Sequence, residues 1–324
     1  MSCILPNAAI AIELANYLTQ AMSTRSQPFV SIIIPVYNDN AHLRLCLQAL
    51  AQQTYPAERY EIIVVDNNSE EDVAAATAGF ERVRLASEPR PGSYIARNRG
   101  VELALGEVIA FTDADCIPQP GWLEHGVAAL LSEPNVGLVA GHVELFAQNR
   151  DRPNPYELYE TIALAFPQDQ FLANDHFGVT ANLFTFKHVL AAVGPFDETL
   201  KSGGDKQWGQ RVYAAGYRQL YGREAQVNHP ARNTWADLRK RSVRIMGGRY
   251  DMLTAAQQSK SALLRDFILF LKPPFRFFWR TWQDGRLRGP GQKWQFTVVM
   301  LRLRWVAIQE RFRLQFSSGV SERS

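Results

Sequence analysis

The chain has 324 residues, 46% hydrophobic and 21% charged, enough for a sizeable core and unlike a disordered or collagen-like polymer. No run free of Asp, Glu, Lys and Arg exceeds 13 residues, short of the roughly 20 that a membrane-spanning helix needs, which excludes a polytopic membrane protein. The net charge of +3 hides an asymmetry: from Lys260 onward 13 Lys or Arg outweigh 4 Asp or Glu, so the tail carries +9 and the first 259 residues −6. Nothing here indicates nucleic acid, whereas the tail suits an anionic surface.

Residues 1–28 read as a leader, helical or disordered. They lack the basic start of a signal peptide, and Glu13 interrupts their apolar patches. Phe29 to Tyr37 is a β-branched apolar run, as expected of a strand buried on both faces. Asn38-Asp-Asn follows, then a helix with Leu43, Leu47 and Leu50 on one side. A second buried strand, Glu61 to Asp66, leads into the cap residues Asn67-Asn-Ser, and Val83 to Ala86 is a candidate third. Pro91-Gly92 opens a helix to about Gly106, followed by a strand through Thr112. A helix over Leu123 to Leu131 and a strand over Val136 to Val143 come next. Residues 145–175 read as less regular, with several prolines and polar turns. Val179 to Phe186 is expected as a strand, Lys187 to Val193 as a helix, and Gly203-Gly204-Asp205 as a sharp turn into a helix through Ala215. Beyond Thr234 the chain reads as basic and aromatic helices broken at Pro273-Pro274 and around Gly285 to Gly291.

Strands and helices alternating at this spacing predict an α/β protein with a doubly wound, mostly parallel sheet flanked by helices. Ligands in such sheets lie beyond the carboxyl ends of the strands, which singles out Asp66 and Asp113. Phosphate-loop, dinucleotide and nucleophile-elbow motifs are absent. What remains is acidic. Asp113 and Asp115, one residue apart after a buried strand, present two carboxylates to a hard divalent cation, although a D-x-D alone is a common pattern. Cys3, Cys46 and Cys116 match no disulfide or metal spacing and suit a reducing, cytoplasmic setting.

Six segments occur in order: Val30-Ser-Ile-Ile-Ile-Pro-Val-Tyr-Asn38, Ile63-Val-Val-Asp-Asn-Asn-Ser69, Pro91-Gly-Ser-Tyr-Ile-Ala-Arg-Asn-Arg-Gly100, Phe111-Thr-Asp-Ala-Asp-Cys116, Val193-Gly-Pro-Phe-Asp-Glu198 and Gly203-Gly-Asp205. Together they closely resemble the family 2 glycosyltransferases, which have the GT-A fold. The resemblance spans about residues 29–232, leaving 233–324 as a helical extension. It implies sugar transfer from a nucleotide-sugar donor, a UDP-sugar first, to an acceptor hydroxyl with inversion, with Mg²⁺ or Mn²⁺ as cofactor.

The resemblance also assigns roles. It puts Val36, Asn38, Asp66 and Arg97 at the donor, with Asp66 on the nucleotide base. Asp113 and Asp115 hold the metal diphosphate, His229 lies near the metal, and Asp205 is the general base. Plainer roles stand beside these: Asp66 as a helix cap, Arg97 as a partner of Glu102 or another surface acid, Asp205 as an N-cap, and His229 as an ordinary loop histidine. Gly204 stands where many relatives carry Glu before the base. The Gln-x-x-Arg-Trp signature of processive synthases is absent, since Leu301-Arg-Leu-Arg-Trp305 lacks the Gln and lies too far downstream, so transfer of a single sugar is expected. A nucleotidyltransferase is a rival, but the first loop is not rich in Gly and Arg. A non-catalytic binding scaffold of the same fold is another, opposed by the complete acidic set.

Four of the seven Trp residues follow residue 278, among arginines on helical stretches. Over 260–313 this pattern suits peripheral contact with the cytoplasmic face of an anionic membrane, and hence a lipid-linked or envelope glycan acceptor. The alternative is that these helices pack on the catalytic domain, with arginine stems covering apolar surface.

Overall fold

A computed structural model describes residues 27–255, 260–272 and 275–316. Most of the expected leader and the Pro273-Pro274 break lie outside these residues. The core is one eight-stranded sheet, in the order β3-β2-β1-β4-β7-β6-β8-β5. Its strands are β1 (Val30–Val36), β2 (Tyr60–Asp66), β3 (Val83–Ser87), β4 (Val108–Thr112), β5 (Ile117–Pro118), β6 (Val136–Phe146), β7 (Asn182–Phe186) and β8 (Arg218–Pro230). The first four are mutually parallel, β7 runs antiparallel to β4 and β6, β8 is parallel to β6, and β5 is antiparallel to β8.

The continuous apolar runs follow from coverage of both sheet faces. Successive β1 side chains alternate. Ile32 and Ile34 pack with Leu43, Leu47 and Leu50 of α1 (Asn40–Leu50), while Ile33 joins Ile63 and Phe111 beneath α3 (Ser93–Leu103). Between these helices lies α2 (Val73–Thr77), capped by Asp72, whose carboxylate accepts the Ala75 N–H. Helix α4 (Trp122–Leu131) covers the first face.

The expectation of irregular chain over 145–175 is corrected. Two helices occupy it, α5 (Pro155–Ala163) and α6 (Gln168–Asp175). Helix α5 starts with a capping box: Asn154 accepts the Tyr156 and Glu157 N–H groups, and Glu157 reaches back to the Asn154 N–H. Pro155 stands at the first helical position, where its missing N–H costs nothing. Then come α7 (Lys187–Val193) and α8 (Gly204–Ala214).

The last part of the chain forms α9 (Trp235–Ala255), α10 (Lys260–Leu271), α11 (Phe275–Trp282) and α12 (Gly289–Phe316). Phe296, Val299, Met300 and Leu303 of α12 pack against Leu158 and Tyr159 of α5 and Leu238 of α9. On one side, therefore, the tail does pack on the rest of the protein. The opposite side of α12 exposes Trp294, Leu301, Trp305, Phe312 and Phe316, and α11 exposes Phe275 and Trp279. A helix apolar on both sides is unusual at a water-facing surface. No helix among the described residues is long and apolar enough to cross a membrane.

Candidate active site

The sheet order explains how distant carboxylates meet. Strand β1 lies between β2 and β4, so Asp66, at the end of β2, and Asp113, just past β4, flank its carboxyl end. Two strand spacings put them on the order of 10 Å apart. Val36 is buried in β1 opposite Asp66, and its carbonyl accepts the Asn67 N–H at 2.8 Å.

Polar bonds lace the two loop ends. The Asn38 N–H donates to Ser69 Oγ, and Asn38 Oδ1 accepts the Glu70 N–H at 2.7 Å. Asn38 and Asn68 both adopt the left-handed conformation that Asn tolerates best among side-chain-bearing residues. Asp66 Oδ1 accepts the Ser69 N–H at 2.9 Å. It therefore closes its own turn and is not the cap of the next helix, which is Asp72.

A second stitch brings His229 to the acidic turn. Strand β5 follows Cys116 directly and pairs antiparallel with β8, Ile117 opposite Asn228. That pairing sets His229 beside Asp115, with Nε2 3.4 Å from Asp115 Oδ2. His229 is thus a buried strand residue, a correction to its expected place in a loop. Its Nδ1 lies 2.8 Å from the Pro230 carbonyl, which can only accept, so Nδ1 carries a proton and Nε2 is left to face the carboxylate.

Arg97 is buried and donates from Nη2 to Asp113 Oδ1, while its Nε has no hydrogen-bond partner among the described residues. Glu102 pairs with Arg99 instead, at 2.9 Å, so the expected Glu102 partner of Arg97 is corrected to Asp113. Asp205 is the second residue of α8, and the N-cap is Gly203, with φ of 82°. The cap role expected for Asp205 is therefore filled by a glycine in the left-handed region. Tyr94 donates its hydroxyl to Asp205 Oδ1 at 3.3 Å, and the Lys206 N–H donates to the same oxygen at 2.9 Å. Oδ2 is left without a hydrogen bond among the described residues.

Burial pushes the Asp205 carboxyl above the usual Asp range, partly opposed by the Lys206 N–H, Arg97 and Tyr94. Burial also raises Asp115, with His229 opposing and Asp113 adding to the rise.

Asp115, Cys116 and His229 place one ligand atom each within 4.8 Å of one another. Burial holds the Cys116 thiol well above its ordinary pKa, and its Sγ donates to the Ala181 carbonyl. It therefore stays protonated. With the thiol protonated, the ligand atoms of this cluster open to a cation are the Asp115 carboxylate and His229 Nε2, an oxygen and an imidazole nitrogen that suit Mn²⁺ better than a thiolate-seeking metal, and Asp113 lies two residues away with Oδ1 taken by Arg97.

Two side chains that tie the site together escaped the sequence reading. Asn67 is buried and donates to the Glu88 and Arg90 carbonyls while accepting the Gly92 N–H, which ties the Pro91-Gly92 loop to the end of β2. Tyr94 lies one helical turn before Arg97, and that i, i+3 spacing was the available signal.

Comparison with known proteins gives the same picture. The family model described as Glycosyl transferase family 2 matches residues 31–194. Glycosyltransferase AglE of Haloferax volcanii is 36% identical over 230 residues, covering 69% of this chain and 74% of its own. The pre-mycofactocin glycosyltransferase of Mycobacterium tuberculosis is 28% identical over 79% of this chain, which spans about half, 55%, of that relative. Among solved structures, the mannosyltransferase PcManGT from Pyrobaculum calidifontis, in complex with GDP-Man and Mn²⁺, has a TM-score of 0.53 at 17% identity, covering 94% of this chain and 81% of that one. This last likeness shows the fold. The ordered motifs, the sheet they build and these matches lead to one conclusion: the chain belongs to the family 2 glycosyltransferases and has their GT-A fold.

Proposed function

We propose that the protein transfers a single sugar, with inversion, from a nucleoside-diphosphate sugar to an acceptor hydroxyl, using Mg²⁺ or Mn²⁺ held by Asp113, Asp115 and His229. The observation that carries this reading is the convergence of Asp115 and His229, 3.4 Å apart, beside Asp113 at the carboxyl end of β4. When bound, the cation acts as a Lewis acid on the diphosphate. In this reading residues 29–232 form the transferase domain and 233–324 a helical extension.

The chain's own residues do the rest. Asp66, beside Val36 and Asn38, receives the base of the nucleotide, with UDP as the first candidate. Arg97 holds one Asp113 oxygen and so leaves the other for the metal. Asp205 is the general base. Both of its hydrogen bonds fall on Oδ1, so Oδ2 is open to take the acceptor proton. Its raised pKa makes it a better base than an ordinary Asp.

The acceptor is lipid-linked or lies at a membrane surface. The doubly apolar α12 supports this, as does an apolar cavity of about 290 Å³ between α9, α10, α11 and α12, lined by Leu238, Ile245, Met246, Phe277 and Met300. The full-length protein is expected to float with anionic liposomes at low salt. Replacing Trp279, Trp294 and Trp305 by Ser should abolish flotation, and failure of the wild type to float would remove the membrane reading.

The base assignment is tested by Asp205→Asn. Nucleotide binding should persist while transfer falls by about 10²–10⁴-fold. Transfer at the wild-type rate would exclude Asp205 as the base.

A further inference from the structure

Asp205 is approached by a tyrosine that fits only because the residue beside it is glycine. Tyr94 lies in the first turn of α3 and is buried. Three contacts fix its ring. It stacks on Phe196, with centroids 5.7 Å apart, and Phe196 in turn packs on Phe111 and Trp208. The Arg97 guanidinium lies 5.8 Å from the ring centre. The third contact is Gly204, directly before Asp205: a Cβ there would come within 2.7 Å of Cε2, 2.8 Å of Cζ and 2.9 Å of Cδ2. Such approaches are repulsive, and a ring packed on Phe196 has little room to yield.

The close approach puts a hydroxyl on the carboxylate. Tyr94 donates to Asp205 Oδ1 at 3.3 Å, and the Lys206 N–H donates to the same oxygen at 2.9 Å. The terminal torsion of an Asp side chain is soft, so a single donor on one oxygen leaves the carboxyl plane free to swing. Two donors from separate helices, α3 and α8, restrict it. Burial and the Asp205 charge push the Tyr94 hydroxyl above its ordinary pKa, so it keeps its proton and stays a donor. Burial also raises Asp205, the Lys206 N–H, Arg97 and Tyr94 oppose the rise, Asp113 adds to it, and Arg244 of α9 feels the same carboxylate.

We propose that Tyr94 is the positioning residue of the base: it holds Asp205 Oδ1 so that Oδ2 faces the acceptor, and Gly204 supplies the space its ring requires. This rests on the reading of Asp205 as the base. As the acceptor oxygen bonds to C1 of the sugar, its proton passes to Asp205 Oδ2, and the C1–O bond to the diphosphate breaks with the electron pair left on that oxygen. Tyr94 takes no proton and touches no reacting atom; it fixes where the proton goes. A side chain at position 204 and the Tyr94 ring exclude one another, which gives a reason for glycine where many relatives carry Glu. Through Arg97, which holds Asp113, the same ring joins the base to the acidic turn.

The test starts from full-length, metal-free protein labelled with ¹³C at the Asp carboxyls, the Asp205 signal being the one missing in Asp205→Asn. In Tyr94→Phe this signal should titrate about one pH unit higher than in wild type, because the lost hydrogen bond favoured the ionised form. Gly204→Ala, which displaces the ring, should give a similar rise, and the double variant no more than either alone. Turnover is then read as released diphosphate, with Mn²⁺ and whichever of UDP-glucose and GDP-mannose the wild type uses. Tyr94→Phe should lower kcat by about 10- to 100-fold, the range for a hydrogen bond to a charged group, with KM and melting temperature unchanged. An unshifted Asp205 titration in Tyr94→Phe, or a shifted one with unchanged kcat, would overturn the proposal alone. A rise in KM as large as the fall in kcat, or a lowered melting temperature, would overturn it in favour of a structural role. Asp205→Asn that turns over at the wild-type rate, or a wild type that uses neither sugar nucleotide, would overturn the base reading and this assignment with it.

Discussion

The two halves of the proposed active site are built differently. Asp66, Asp113, Asp115 and His229 belong to strand ends, and their spacing is set by hydrogen-bonded pairing between neighbours in one sheet. Asp205 and Tyr94 belong to the first turns of helices, and their meeting depends on how α3 and α8 pack. A strand end moves only if the sheet moves, whereas a helix start can tilt. In the proposed reading the metal side is therefore the preorganised half, and the base side is the half that α9 touches, through Met252 on Gly203 and Gly248 on Ser202.

The sharpest way to break this comparison is at the metal side. Asp115→Asn leaves the sheet intact and removes one charged ligand, so transfer should drop by about 10³-fold, several kcal/mol of lost charge stabilisation. Nucleotide binding should lose its dependence on Mn²⁺, and initial-rate assays with a Mn²⁺ titration check both. Next in size is Glu160, fully buried on α5, which binds the backbone and side chain of Arg232 and lies 3.8 Å from Arg241 of α9. Burial lowers the Arg241 pKa to about 10, against the pull of Glu160. Glu160→Ala leaves two arginines uncompensated and should cost about 3–5 kcal/mol, read from urea unfolding. Asn67→Ala, which frees the Gly92 N–H and two carbonyls, should cost about 1–3 kcal/mol and loosen the donor loop without abolishing transfer.

The smallest effect concerns pH. The folded pKa values of Asp115 and Asp205 are both raised above the ordinary Asp value of 3.8. The folded state therefore binds protons more tightly than the unfolded chain. The stability this contributes is complete below pH ~4 and is lost as pH rises through the raised folded values. Asp205→Asn removes one of these ionisations, so in the metal-free protein it should raise the melting temperature by a few degrees at neutral pH and by less at pH 4. Transfer by the wild type should gain with pH along an acid limb displaced upward from that of an ordinary carboxylate.

The strand-built half was largely legible before any coordinates. Uninterrupted β-branched runs ending in Asp announce a buried parallel strand with a ligand-facing carboxylate, because pleat and burial leave such a residue one exit. His229 was placed near the metal only through the family resemblance, since the β5–β8 pairing that delivers it is two residues long and leaves no periodic trace. The helices over 155–175 were missed even though Asn154-Pro-Tyr-Glu157 spells a capping box. The surrounding prolines and polar residues masked a short apolar stripe. The tail's aromatic residues were legible as apolar surface, but only the packing of Phe296 and Met300 divides them into a side that meets α5 and a side that meets solvent.

The central claim, a metal-dependent nucleotide site on the strand-built half, is most directly tested by thermal shift with UDP, GDP, CMP and dTDP, each with and without Mn²⁺, on wild type and Asp115→Ala. A ligand at 100 times its Kd adds about 2.7 kcal/mol to the stability of the native state. The account predicts a Mn²⁺-dependent rise with one nucleoside diphosphate that disappears in Asp115→Ala. A folded wild type that shifts with none of the four, or a shift that survives unchanged in Asp115→Ala, would contradict it.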